Sequence, residues 1–174
     1  RIIDDLLARN PAAGDAYRIR AMILMRDGYL HGETYEPEAL ERAERSVDEA
    51  IAKSTDNDRA YVLRANLYRL TGRADRARED LRRAESLKPD NPWIQFEWSD
   101  LLFADKQPEQ AAERCREGLK RRPDDIQIKV QATECLIRFN KQAGHLDEVE
   151  KLYREQIAME PTRAWPRGNF AEYL

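Results

Sequence analysis

The chain has 174 residues, enough to bury a sizeable core in one globular domain or in a row of smaller stacked units. Charged residues make up 36% and hydrophobic ones 41%, with 7 Gly and 8 Pro, which excludes disorder and suits a protein with much exposed helix. The 30 basic and 33 acidic side chains leave a net charge of -3, so no sequence-wide positive field exists to hold a phosphate backbone, and nucleic acid is not an expected partner.

At the start, Ile3, Leu6, Leu7 and Pro11 read as the second helix of a unit cut at its middle. Tyr17, Ala21 and Leu24 then form a helical stripe that ends at Gly28, and Ala43, Val47 and Ala50 form another. Between them the turn Tyr29 to Glu38 is ten residues longer than elsewhere. With Tyr29, Leu30, His31 and Tyr35 it reads either as an arm that touches a partner or as a loop folded onto its own unit.

The clearest segment is Asp58 to Asn91. Tyr61, Ala65 and Tyr68 share one helix face, Gly72 breaks the helix, and Ala77, Leu81, Ala84 and Leu87 form the next stripe before Pro89-Asp90-Asn91 stops it. The small residues permit close approach of the two helices. The unit recurs: Pro123 follows Pro89 by 34 residues, and the same step carries Ala65 to Ser99, Ala77 to Ala111, Leu81 to Cys115 and Ala84 to Gly118. Pro161 follows Pro123 by 38 residues, with the extra turn near Lys141 to Gly144. Trp165, Ala171 and Leu174 open a further first helix. The chain thus divides into repeats 14–57, 58–91, 92–125 and 126–163, flanked by half repeats 1–13 and 164–174, within a single repeat domain.

A 34-residue period with Tyr61, Ala65, Tyr68, Ala77, Leu81, Ala84 and Pro89 resembles the tetratricopeptide repeat. The resemblance covers essentially the whole chain, although the third unit has Gln95 where an aromatic is expected and Trp98 three residues later. It implies an all-α, right-handed superhelix of antiparallel helix pairs, with first helices lining a concave groove that binds peptides or proteins, and it implies no chemistry. Some members of the family clamp a partner's terminal carboxylates with Lys, Asn and Arg. Here Asn66 fits one such place, but Glu97, Gln127 and Gln131 stand where further Asn and cations are required, so that mode is not expected.

Catalytic patterns are absent: no Gly-rich phosphate loop, HExxH or nucleophile elbow occurs, and His31 and His145 lie in or beside turns. No cofactor or metal is expected. Cys115 and Cys135 lack a CxxC pair or a His cluster, so reduced, partly buried thiols are expected, although their positions on adjacent helices make contact conceivable. The longest apolar runs, such as Ala21 to Met25, fall far short of the ~20 residues of a membrane span. Membrane insertion is not expected and a cytoplasmic location is. A start at Arg1 reads as a fragment of a larger protein, with room upstream for a signal or anchor.

Charge is uneven, with +3 over residues 58–91 and -4 over residues 1–57. Counted from each first helix's small residue, one stripe beside the core-facing one is expected to line the groove. It comprises Arg18, Met22 and Met25; Arg59, Val62, Asn66 and Arg69; Trp93, Phe96, Asp100 and Phe103; and Gln127, Val130, Glu134 and Ile137. A partner would seat an apolar side chain near Phe96 and Phe103 and acidic residues toward Arg59 and Arg69. The competing reading has these aromatics as packing residues. The expected function is a non-catalytic scaffold for protein or peptide binding. The alternative is a regulatory repeat region that packs against an enzyme domain outside the fragment. Apolar stripes at the cut half repeats also suggest self-association.

Overall fold

The computed structural model describes residues 2–31, 34–162 and 164–173, the side chains of Trp165 and Glu172 excepted. Expectations for Leu174, for the ring of Trp165 and for residues 32 and 33 of the insertion lie outside them. The elements in order are α1 (Ile2–Arg9), α2 (Gly14–Asp27), β1 (Tyr29–His31), β2 (Thr34–Tyr35), α3 (Pro37–Lys53), α4 (Asp58–Leu70), α5 (Ala74–Leu87), α6 (Pro92–Ala104), α7 (Pro108–Arg121), α8 (Ile126–Ala143), α9 (Leu146–Met159) and α10 (Ala164–Tyr173). They fall into two compact units, residues 1–89 and 90–174, and within each the helices pack as adjacent antiparallel pairs.

Local chemistry explains where the helices begin. Asn57 caps α4 by accepting from the Ala60 amide at 3.1 Å. Asn91 caps α6 through the Trp93 amide at 3.0 Å, and Asp125 caps α8 through the Gln127 and Ile128 amides at 2.9 and 3.2 Å. Each cap satisfies amides that have no partner inside the helix. Pro37, Pro92 and Pro108 occupy first-turn positions, where the missing N–H is harmless. Between paired helices the chain reverses through a left-handed residue: Gly72 at φ 74°, its 34-residue counterpart Lys106 at φ 60°, and Gly144 at φ 75°. The last follows an α8 of 18 residues, against 13 in α4 and α6, which places the extra turn inside the helix.

The long first turn is the one departure from pure helix. β1 and β2 pair antiparallel, Tyr29 opposite Tyr35. The Tyr29 and Tyr35 rings meet edge to face at 5.5 Å, and Tyr35 packs on the core of its own unit while Tyr29, Leu30 and His31 are exposed. The segment is therefore folded down at its second strand and exposed at its first.

In unit 1 the alanines place helix against helix. Ala21, Ala43, Val47 and Leu67 are fully buried with Met25 and Leu40, and Ala65, Ala77, Leu81 and Ala84 are buried between α4 and α5. Burial of a side chain such as Leu81 contributes about 2 kcal/mol. A polar link joins the helices of the pairs α2–α3 and α4–α5 at one equivalent place. Arg20 Nε donates to Ser46 Oγ at 2.8 Å, and Arg64 forms a fork to both oxygens of buried Asp80 at 2.8 and 2.9 Å. In unit 2 the roles reverse, with the Arg114 guanidinium 5.5 Å from the Trp98 ring. Each is a different answer to the same inter-helix space.

The unit 2 core gathers Phe96, Cys115, Ile128, Ala132 and Cys135, and a second cluster holds Ile137, Val149, Leu152 and Tyr153 with Phe170 and Tyr173 against it. Gly118 is required there, because a Cβ would lie 2.8 Å from Phe96 Cε1. The expectation of reduced thiols is corrected: Cys115 and Cys135 are joined, with Cα atoms 6.2 Å apart. Sequence spacing could not show this, since the pairing comes from stacking α8 on α7.

Candidate partner-binding faces

In unit 1 the expected stripe runs along α2 and α4. Arg18 Nε and Nη2 donate to the two oxygens of Asp15 at 2.6 and 3.1 Å, and Nη1 reaches Met22 Sδ at 3.0 Å. These Arg18 hydrogen bonds hold the Asp15 carboxyl below the usual carboxylate range against partial desolvation, and the charge of Arg59 on α4 adds to the effect. Asp15, Arg18 and Arg59 therefore form one electrostatic cluster across two first helices. Met22, 49% exposed, lies beside Arg18, and Val62, Asn66 and Arg69 are half-buried along α4. Met25 is turned into the core.

In unit 2 the expected stripe is mostly closed. Phe96 is 4% exposed, Val130 and Ile137 are buried, and Trp93, at 41%, and Gln127 are exposed, the Trp93 ring edge to face with Phe96 at 5.8 Å. Phe103 is half-buried with the Arg138 guanidinium 4.2 Å from its ring centroid, and Arg138 also pairs with Asp100. Gln156 Nε2 donates to Glu134 Oε1 at 3.1 Å. The placement of Phe96 as a docking ring is therefore corrected, and Met25, Val130 and Ile137 are likewise packing residues. The reason is that a first helix is covered from two sides: by the second helix of its own pair, and by the next first helix. Phe96 meets Cys115 and Gly118 on α7 and Ile128 and Ala132 on α8.

Two participants escaped the sequence reading. Arg138 covers Phe103, and Ile19, 39% exposed, lies one turn before Met22 on α2. A wider stripe would have included Ile19; nothing in the periodicity points to Arg138. Among the described residues no group of three or more His, Cys, Asp or Glu side chains is placed to hold a metal ion, and no described helix is long and apolar enough to cross a membrane.

The tetratricopeptide repeat family model matches residues 71–133, which run from the turn before α5 into α8. Over that stretch the chain is similar to the tetratricopeptide repeat. No curated protein matches the sequence significantly. Solved tetratricopeptide-repeat structures share its fold. A thermophilic tetratricopeptide-repeat protein of Thermus thermophilus matches with a TM-score of 0.81 at 16% identity, over 99% of this chain and 87% of that one. PilF of Pseudomonas aeruginosa matches with a TM-score of 0.73 at 16% identity, over 93% and 68%. YrrB, described as having an unusual peptide-binding site, matches with a TM-score of 0.56 at 18% identity, over 99% and 82%. Such a fold is a scaffold suited to protein–protein interaction.

Against the repeat pattern, the departures of this chain lie at informative places. Gln156 stands where Ala84 and Gly118 stand in earlier repeats, and its longer side chain is what reaches Glu134. Gln95, out of pattern by sequence, is buried, and its Oε1 accepts from Arg114 at 2.9 Å. Both replace a small or apolar contact by a hydrogen-bonded one, although buried Gln156 Oε1 itself has no partner among the described residues.

Proposed function

We propose that the chain is a non-catalytic interaction scaffold that holds a peptide or protein segment against the first helices of its repeats. The observation that carries the reading is the face of unit 1. There exposed Met22 sits beside Arg18, and Arg59 from the next first helix acts on the same acid-base cluster. A flexible apolar side chain flanked by Arg suits a segment with an apolar residue and neighbouring carboxylates, since Arg pairs with carboxylates through forked, charge-assisted hydrogen bonds. Arg69 extends the face along α4. In unit 2 exposed Trp93, with Asp100, Phe103 and Glu134 on the same stripe, offers an aromatic anchor of its own.

The test is a peptide array of short extended sequences graded in acidic and apolar content, with the best binder carried into fluorescence anisotropy. Met22→Glu combined with Arg59→Glu, both at exposed positions, is expected to weaken binding by about tenfold or more, roughly 1.4 kcal/mol, with the thermal melt unchanged. Binding is also expected to weaken as salt rises. If no acidic-apolar peptide binds, or the double variant binds as well as the parent, the face is wrongly assigned.

A further inference from the structure

Cys115 belongs to α7, the second helix of one repeat, and Cys135 to α8, the first helix of the next. Their Cα separation of 6.2 Å lies within the span of an ordinary disulfide, so the backbone needs no movement to admit the bond. Both sulfurs are enclosed with Phe96, Ile128 and Ala132. The buried Ser99 hydroxyl lies 3.0 Å from Cys115 Sγ and 3.1 Å from Cys135 Sγ. A packed core that brings two thiols together and supplies one hydroxyl between them serves two covalent states.

We propose that Cys115 and Cys135 are a redox-responsive staple between consecutive repeats, exchanging with low-molecular-weight disulfides and thiols such as glutathione. To close the staple, one cysteine thiolate attacks a sulfur of glutathione disulfide, breaking its S–S bond and releasing one glutathione thiolate. The other cysteine thiolate then displaces the second glutathione from the mixed disulfide. The protein dithiol loses two electrons and two protons, and these end on two glutathione thiols. Reopening by two glutathione thiols is the same sequence in reverse.

Burial governs how fast this happens. The more exposed of the two residues, Cys135, shows 4% of its surface, so an incoming tripeptide reaches the sulfurs only when α8 lifts from α7. The closed staple makes that lifting rarer, so reduction is slow, and the dithiol permits it readily. In the dithiol the Ser99 hydroxyl is placed to accept from one thiol and donate to the other. The oxidised chain thus has its α7–α8 junction stapled, and the reduced chain has a junction that opens more readily.

The test uses the whole chain, incubated with oxidised glutathione or with dithiothreitol under mildly denaturing conditions, then refolded. Alkylation with mass spectrometry should count no free thiol in the first sample and two in the second. A loop closed between residues 20 apart should shift the unfolding equilibrium of residues 90–174 by on the order of a hundredfold toward the folded side. Tryptophan fluorescence reads that shift, because Trp93, Trp98 and Trp165 all lie there. Hydrogen exchange in α8 should be slower in the oxidised form. Cys115→Ala and Cys135→Ala should each melt identically in the two conditions. Two alkylated thiols after oxidised glutathione, or equal melting of the oxidised and reduced parent, would overturn the proposal.

Discussion

Replacing Arg64 by alanine tests how unit 1 is held. Arg64 Nε and Nη2 bond the two oxygens of Asp80 at 2.8 and 2.9 Å, and Nη1 bonds Asp48 at 2.8 Å. The side chains of Arg64 and Asp80 are 20% and 9% exposed, whereas that of Asp48 is 50% exposed. Asp80 draws the Arg64 pKa above its ordinary value first of all, against the desolvation of a half-buried guanidinium. Removing Arg64 strips both bonds from a carboxylate that water hardly reaches, so Arg64→Ala should destabilise the protein by about 3–5 kcal/mol. The reverse deletion should be milder. In Asp80→Ala, Arg64 keeps Asp48 and lies 5.6 Å from the Tyr61 and Tyr68 rings, and a loss of roughly 1–2 kcal/mol is expected. Arg64→Met with Asp80→Leu removes both charges while keeping volume and should fall close to the parent, since apolar replacements of buried ion pairs are often neutral. Urea unfolding followed by far-UV ellipticity measures all four proteins. A loss below about 1 kcal/mol for Arg64→Ala, or a double variant as unstable as the two single losses added, would refute the argument from burial.

Two further outcomes follow from local features. The hydrogen bonds from Arg73 to Glu44, at 2.8 and 2.6 Å, hold the Glu44 carboxyl below its ordinary value of 4.5, so this pair stabilises the fold fully above about that pH and progressively less as pH falls through the lower folded value. Arg73→Gln should flatten the fall of the thermal midpoint between about pH 5 and pH 3, and an unchanged acid slope would count against the assignment. Lys106 holds φ 60°, a left-handed conformation that costs a side-chain-bearing residue about 1–2 kcal/mol, whereas its counterpart Gly72 holds φ 74° without that strain. Lys106→Gly should therefore raise stability by roughly 0.5–1 kcal/mol and Gly72→Ala lower it by about 1 kcal/mol, both in urea titrations; equal effects at the two turns would show that the backbone is not the cause.

The repeat was legible because its signals are local. A small residue is needed wherever two helices touch, so Ala65, Ala77 and Ala84 recur at a 34-residue step as Ser99, Ala111 and Gly118, and proline or glycine marks the reversals of the chain other than the one at 54–57. The candidate face was legible only in part. Helical periodicity gives Met22 and Phe96 places on the equivalent stripe of their own first helices, but periodicity states direction and not cover. Met22 stays in solvent, while Phe96 is closed over by Ile128 and Ala132 of a helix about thirty residues away and seated on Gly118, whose missing Cβ makes room for the ring. The joining of Cys115 to Cys135, the Arg138 guanidinium over Phe103 and the reach of Gln156 to Glu134 have the same character. Amino-acid order by itself determined the helix pairs and their period, because propensity, capping and close approach act over a few residues. Which side chains remain free to meet a partner was decided only in the tertiary structure, because burial depends on what the neighbouring layer places against them.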